Sequence, residues 1–399
     1  MILNTTLRML RPAAAVLASL ALAGCITPGS GGSSYDNTVG SAPTTAVTSE
    51  PLAPIGGGQV KAALILPLSS GNAGNLGQSM RNASEMALAE FSNPNVQLIV
   101  KDDGGSAQGA ANATQQAISE GAEIVLGPVF AQSVVAAGQT ARRSNIPVIA
   151  FSTDSSAATR GVYLLGFLPQ SDIERVVSFA TQNGKRSFAA LLPDNAYGSV
   201  VEGAFQESVA RNGGRVVGLE HYSSGNEKEA VRRFAQAAKS ADAILLPEGG
   251  DTAARLVREL AAAGVDTKRV ALLGSGQWDD PRVTGAPELA GAYYPGPDSA
   301  GWRSFSQRYQ NRYGSQPPRT ATLAYDAVLL VAALTQTQGQ NRFSEGVLTN
   351  ASGFQGVDGI FRLKSNGTNE RGLAVMQIQS GGAKVVSPAP RSFAASASL

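Results

Sequence analysis

The chain has 399 residues, 43% of them apolar and 16% charged, with a formal net charge of +2. No basic block occurs in it, which sets nucleic acid aside as a partner. One cysteine, Cys25, and one histidine, His221, leave no material for a disulfide framework or a Cys/His zinc site. His221, in Leu-Glu-His-Tyr-Ser-Ser, reads as a surface residue rather than a catalytic base, so no enzyme and no cofactor is expected.

The first 24 residues carry Arg8 and Arg11 ahead of the apolar run Pro-Ala-Ala-Ala-Val-Leu-Ala-Ser-Leu-Ala-Leu-Ala-Gly. That run is too short to span a bilayer and has the order of a secretory leader. Its end, Leu22-Ala23-Gly24-Cys25, is similar to the bacterial lipobox, which implies cleavage before Cys25 and lipidation of that residue. The +2 of the chain then leaves with the leader, and the protein is expected to be periplasmic and lipid-anchored. With Ile26 rather than Asp next to the cysteine, the outer membrane is favoured in a Gram-negative host. Residues 25–58, rich in Gly, Ser, Thr, Pro and Ala, read as a flexible tether that cannot bury enough surface to offset its ordering entropy.

From Val60 onward, short apolar runs alternate with amphipathic stretches. Val-Lys-Ala-Ala-Leu-Ile-Leu predicts a buried strand, and Leu76–Phe91 a helix with Leu76, Met80, Ala83 and Ala87 on one face. Strands at Val-Gln-Leu-Ile-Val, Glu-Ile-Val-Leu and Ile-Pro-Val-Ile-Ala-Phe are interleaved with helices at Ala107–Glu120 and Ser133–Ser144. The pattern restarts at Ser-Phe-Ala-Ala-Leu-Leu. Helices follow at Tyr197–Asn212, Lys228–Ser240 and Thr252–Ala263, separated by the strands Arg-Val-Val-Gly-Leu-Glu-His-Tyr, Asp-Ala-Ile-Leu-Leu and Arg-Val-Ala-Leu-Leu. Helices at Ser299–Tyr313 and Leu323–Thr337 precede strand-like pieces at Gly-Ile-Phe-Arg-Leu and Gly-Leu-Ala-Val-Met-Gln-Ile-Gln. Apolar strands bounded by Pro, Gly and Asp predict parallel sheets covered by helices on both faces, and two such series predict two doubly wound lobes.

In open α/β sheets a ligand sits beyond the carboxyl ends of the strands. The loops there are small and polar, among them Ser152-Thr153-Asp154, Pro-Asp-Asn-Ala-Tyr197 and Gly-Ser-Gly-Gln277-Trp278. Gly71, Gly74 and Gly77 fit neither the dinucleotide fingerprint nor a Walker A loop and read as a mobile cleft loop. Asp102 and Asp103 are read as caps of the helix that follows.

On Val-Lys-Ala-Ala-Leu-Ile-Leu-Pro-Leu-Ser-Ser-Gly at the start, Ala-Arg-Arg-Ser-Asn-Ile-Pro-Val-Ile-Ala-Phe-Ser-Thr-Asp-Ser, Pro-Asp-Asn-Ala-Tyr-Gly and Ala324-Tyr-Asp-Ala327, the chain resembles the leucine/isoleucine/valine-binding protein family. The resemblance implies the type I periplasmic-binding-protein fold: α/β, two doubly wound parallel-sheet lobes joined by crossover hinges. It implies a small polar ligand, such as an amino acid or an amide, held by Ala131, Gln132, Ser133, Ser152, Thr153 and Asp154 on one lobe, with Tyr197, Glu248, Gln277 and Trp278 on the other. Ala131 stands where the family has a serine, and Gly276 and Gln277 stand where it has an acid; Glu248 or Asp154 is then the expected replacement. The expected lobes are residues 59–168 with 299–340 and 169–298 with 341–386, followed by a disordered tail at 387–399. Two partners fit. One is an ABC permease, with the chain as solute receptor; the other is a penicillin-binding protein, with the chain as an outer-membrane lipoprotein regulator of peptidoglycan synthesis.

Overall fold

In the computed structural model, which describes residues 52–297 and 299–393, the first apolar run forms β1 (Val60–Leu66), whose residues from Ala62 to Leu66 are fully buried. It pairs in parallel with β2 (Val96–Asp102) and β3 (Ile124–Leu126). β4 (Val148–Ala150) and β5 (Val162–Leu164) extend the sheet, giving the order β2-β1-β3-β4-β5. One face is covered by α1 (Gly74–Glu90), the other by α2 (Ala107–Ser119) and α3 (Ala131–Arg142). Burial on both faces explains why these strands read as unbroken apolar runs.

The second sheet begins after α4 (Pro169–Gln182). Parallel strands β6 (Ser187–Pro193), β7 (Arg215–Tyr222), β8 (Ala243–Leu245), β9 (Ala271–Leu273) and β10 (Tyr293–Gly296) alternate with α5 (Ala196–Arg211), α6 (Glu227–Ser240) and α7 (Gly250–Ala262). A short α8 (Pro281–Thr284) lies between β9 and β10. Antiparallel β14 (Ala374–Gln379) and β15 (Gly382–Ser387) complete a seven-stranded sheet, β15-β14-β10-β9-β8-β6-β7.

After β10 the chain returns to the first lobe. α9 (Ser299–Tyr313) and α10 (Ala321–Thr337) pack into the same core as α1, through Phe305, Tyr309, Ala324 and Val328. The second return differs from the sequence expectation, which gave 341–386 to the second lobe. α11 (Glu345–Leu348) and the small antiparallel sheet β11 (Phe354–Gly356), β12 (Gly359–Leu363) and β13 (Asn369–Arg371) stay on the first lobe. Two forces hold them there. Leu348, Phe361 and Leu363 bury in the first core. β5 is an edge strand, and its groups are satisfied by Gly367 O, which accepts from Leu164 N at 2.8 Å, and by Asn369 Nδ2, which donates to Leu164 O and Gly166 O at 2.8 and 2.7 Å. The crossing therefore falls at Arg371–Leu373.

Both ends of the body are more ordered than composition suggests. Ile55, placed by sequence in the tether, exchanges backbone hydrogen bonds with Leu98 on the free edge of β2. At the end of β15 Arg175 Nη2 donates to Ser387 Oγ at 2.6 Å, and beyond it the Phe393 ring lies 4.6 Å from the Arg362 guanidinium. Ser387 and Phe393, in the segment expected from sequence to be a disordered tail, thus lie against the body. Cys25, the leader and most of the tether lie outside the described residues, as do 394–399. Two smaller readings also change. Ser106, not Asp102 or Asp103, caps α2, accepting from Gly109 N, while the two aspartates hold the turn amides of Ser69, Gly104 and Gly105. A Cβ on Gly77 would lie 3.0 Å from the Pro67 carbonyl, so that glycine serves the close approach of α1 to the first loop. Among the described residues, no helix is long and apolar enough to cross a membrane.

Candidate functional site

Three crossings join the lobes: Leu165–Leu168, Gly296–Pro297 onward to α9, and Arg371–Leu373. Beside them a cavity of about 510 Å³ opens between the sheets. The first lobe lines it with Thr153, Asp154, Phe167 and Arg319, the second with Asp172, Tyr197, Gln277 and Asp279. Pro169, Val200, Pro295, Pro297 and Leu373 make much of the remaining wall apolar.

Each polar group is set by its local fold. The β4 loop folds on itself: Ser152 Oγ accepts from Asp154 N at 3.1 Å and Asp154 Oδ1 from Ser156 N at 2.9 Å. Asn195 caps α5 by accepting from Gly198 N, which presents Tyr197 to the cavity. The Tyr197 hydroxyl is 3.1 Å from Ser275 Oγ and 3.3 Å from Pro247 O, and burial raises its pKa. Asp172 lies in the first turn of α4, where its Oδ2 accepts from Gly276 N at 2.9 Å. Burial pushes the Asp172 carboxyl up to about 7, against the pull of the Gly276 amide and the Arg371 guanidinium.

Arg319 bridges the lobes. Its Nη1 is 3.1 Å from Asp279 of the second lobe and its Nη2 is 2.8 Å from Asp358 of the first; its guanidinium lies 5.2 Å from the Trp302 ring. Asp279 also receives the Tyr294 hydroxyl at 3.4 Å, and Asp358 receives Thr322 Oγ1 at 2.6 Å. Behind the cavity Arg371, 5% exposed, donates to Leu165 O at 2.7 Å and Gly166 O at 3.3 Å. Its guanidinium stacks 4.6 Å from the Phe167 ring.

Of the residues expected from sequence, Thr153, Asp154, Tyr197 and Gln277 line this cavity. Ser152 lies beneath it, 4% exposed. Trp278 does not face it: the ring is fully buried in the second lobe, and Nε1 donates to Glu248 O at 2.9 Å. The Glu248 carboxylate is taken by the Tyr222 hydroxyl. Ala131, Gln132 and Ser133 are also outside the cavity wall. α3 begins two residues earlier than expected, so Ser133 falls inside its first turn and is fully buried, while Gln132 Nε2 turns to Gly105 O at 3.4 Å. Sequence reasoning missed Asp172, Arg319 and Asp279 as cavity groups. A usable signal was present for Asp172, an acid in the first turn of a Pro-initiated helix at a lobe boundary. Among the described residues no group of three or more His, Cys, Asp or Glu is arranged to hold a metal ion.

Known proteins share this architecture. A family model described as periplasmic binding protein matches residues 59–383. An uncharacterized protein of Rickettsia prowazekii is 21% identical over 196 residues, 49% of this chain and 51% of that one, so the match spans about half the length of this curated relative. Among solved structures, a putative branched-chain amino acid ABC transporter protein from Rhodospirillum rubrum superposes with a TM-score of 0.71 at 20% identity, covering 82% of this chain and 99% of its own. An ABC transporter substrate-binding protein from Desulfitobacterium hafniense in complex with Leu gives 0.61 at 16% identity, with 82% and 99% covered. A solute-binding protein from R. palustris in complex with benzoate gives 0.56 at 20%, with 86% and 100% covered. With a family model spanning both sheets and all three crossings, this chain belongs to the periplasmic binding protein family.

Proposed function

We propose that this protein is the periplasmic solute-binding component of an ABC importer, holding a small polar ligand between its lobes and tethered to a membrane through lipid on Cys25. The observation that carries the reading is the cavity itself: about 510 Å³, beside the three crossings, with polar groups converging from both lobes on a largely apolar wall. A ligand touching both lobes binds the closed arrangement better than the open one and so shifts the population toward it. The relatives whose names include leucine and benzoate agree in scale, both being small organic acids. The site residues of this reading are Thr153, Asp154, Phe167, Asp172, Tyr197 and Gln277.

Calorimetry with a panel of amino acids, amino-acid amides and aromatic acids tests it. Saturable binding by a panel member, lost in Tyr197→Ala while the circular dichroism spectrum persists, is expected. A panel without binding, together with specific capture of a penicillin-binding protein from envelope extract, would replace the receptor with the regulator of peptidoglycan synthesis.

A further inference from the structure

Around the cavity floor, charge does not balance. Arg319 is shared by Asp279 and Asp358, and Arg371 is attracted by Asp358, Asp326 and Asp172 from beyond ion-pair distance. Four carboxylates thus divide two guanidiniums. Asp326, 3% exposed, and Asp358, fully buried, cannot share their charge with water, whereas Asp279, 45% exposed, can. Burial answers the imbalance by holding Asp172 and Asp326 partly protonated near neutrality, and a cation brought against Asp172 favours its ionised form.

The same geometry offers little to an anion. Arg319 already donates to a carboxylate from each terminal nitrogen, its Nε and Arg371 Nη1 are without partners but buried away from the cavity surface, and the start of α3 lies outside the wall. Three helix N-termini do reach the cavity. α10, whose N-cap Thr320 lines it, has its first amides, those of Ala321, Thr322 and Leu323, taken by the carbonyls of Pro318, Arg319 and Thr320. α4 begins with Pro169, which has no N–H, and carries Asp172 in its first turn; α5 has its Gly198 amide taken by Asn195.

We propose that the cleft is selective for a cationic amine with an apolar body, its ammonium on Asp172 and its body between Phe167 and Tyr197, without a clamp for a carboxylate. The proposal rests on the solute-receptor reading and names the ligand class of that site; an amidated amino acid fits it better than the free zwitterion. The Asp172 oxygen not held by Gly276 is the acceptor for the ammonium. Facing Asp172 are the Gly276 amide, the Arg371 guanidinium and the Tyr197 hydroxyl, with Asp279 and Arg319 on the same cavity. With its carboxyl raised to about 7 by burial, Asp172 ionises as the pH rises through neutrality, so amine affinity increases in that direction and binding releases a proton.

Four probes sharing a phenyl body separate the possibilities: phenethylamine, L-phenylalaninamide, L-phenylalanine and 3-phenylpropionate, titrated calorimetrically into the full chain at pH 7.5 and pH 6. The expected result is that phenethylamine and the amide bind at least tenfold more tightly than the zwitterion and the acid. Phenethylamine, whose ammonium stays intact across this range, binds more weakly at pH 6, where Asp172 is protonated, and Asp172→Asn removes the preference while unfolding stays cooperative. Equal or tighter binding by L-phenylalanine or 3-phenylpropionate overturns the cation proposal and leaves the receptor reading intact. Failure of both amines also overturns it; the receptor falls too only if the wider panel of amino acids, amides and aromatic acids is silent as well.

Discussion

Replacing Arg371 with leucine removes a side chain that ties the first crossing to the third. Arg371 lies at the end of β13, and its guanidinium reaches the carbonyls of Leu165 and Gly166 at 2.7 and 3.3 Å. Hydrogen bonds from a charged donor contribute about 1.5–3 kcal/mol each. Breaking a buried ion set by deleting one partner costs about 3–5 kcal/mol, because the remaining charge stays buried. These figures overlap, since the same guanidinium supplies both, and leucine recovers some apolar contact with Phe167 and Phe361. A destabilisation of about 3–5 kcal/mol at pH 7.5 follows, read from urea unfolding midpoints at constant m-value. The loss should shrink at pH 5. Asp172 and Asp326, both raised to about 7 chiefly by burial, are protonated there and need no counter-charge. A change below about 1 kcal/mol, or a larger loss at pH 5 than at pH 7.5, would refute this account of the crossings.

The remaining predictions concern pH and packing. Asp326 binds more protons folded than unfolded between pH 4 and 7, so stability declines as pH rises through that window. Its displacement from 3.8 to about 7 bounds the penalty at about 4 kcal/mol, and Asp326→Asn should flatten that part of the stability–pH curve. Asp242 has the opposite sign. The Ser187 hydroxyl and the Ser187 and Arg186 amides hold it near 2, so its contribution is present above pH 4 and lost as the pH falls toward 2; in its partly solvated position that amounts to about 1 kcal/mol, which Asp242→Asn should remove. A Cβ on Gly198 would lie 1.8 Å from the Pro193 carbonyl, so Gly198→Ala should cost about 1–3 kcal/mol in thermal or urea unfolding through displacement of the α5 start.

How much was readable from sequence depended on whether burial or long-range packing set each element. The strands from β1 to β4 and β6, β8 and β9 are apolar runs punctuated by Gly, Pro or Asp, and helices on both faces demand that pattern; β7, at the sheet edge, is half-buried and mixes Glu220 and His221 with its apolar residues. β5 follows β4 with only a 3₁₀ turn between them, so the strand–helix alternation gives no cue for it, and β10 ends in Pro295 and Gly296, which interrupt an apolar run. The small sheet belongs to the first lobe because Phe361 and Leu363 find their core there and Asn369 completes the β5 edge, neither of which local sequence encodes. Within the site, Thr153, Asp154, Tyr197 and Gln277 were legible as residues just past strand ends. Trp278 misled because loop position was taken for exposure: the 3₁₀ turn at Gly276–Trp278 rolls the ring beneath its own backbone against Gly274. Asp172 and Arg319 reach the cavity only because the crossings fold back on one another.

The central claim is that a solute occupies the cleft between the lobes, and a crystal structure of the protein with its tightest-binding panel compound tests it most directly. The account predicts ligand density in contact with Asp172 and Tyr197 of the second lobe and with Thr153 or Phe167 of the first at the same time. Density on the outer face of either lobe, with the cleft unfilled at saturating ligand, would contradict it.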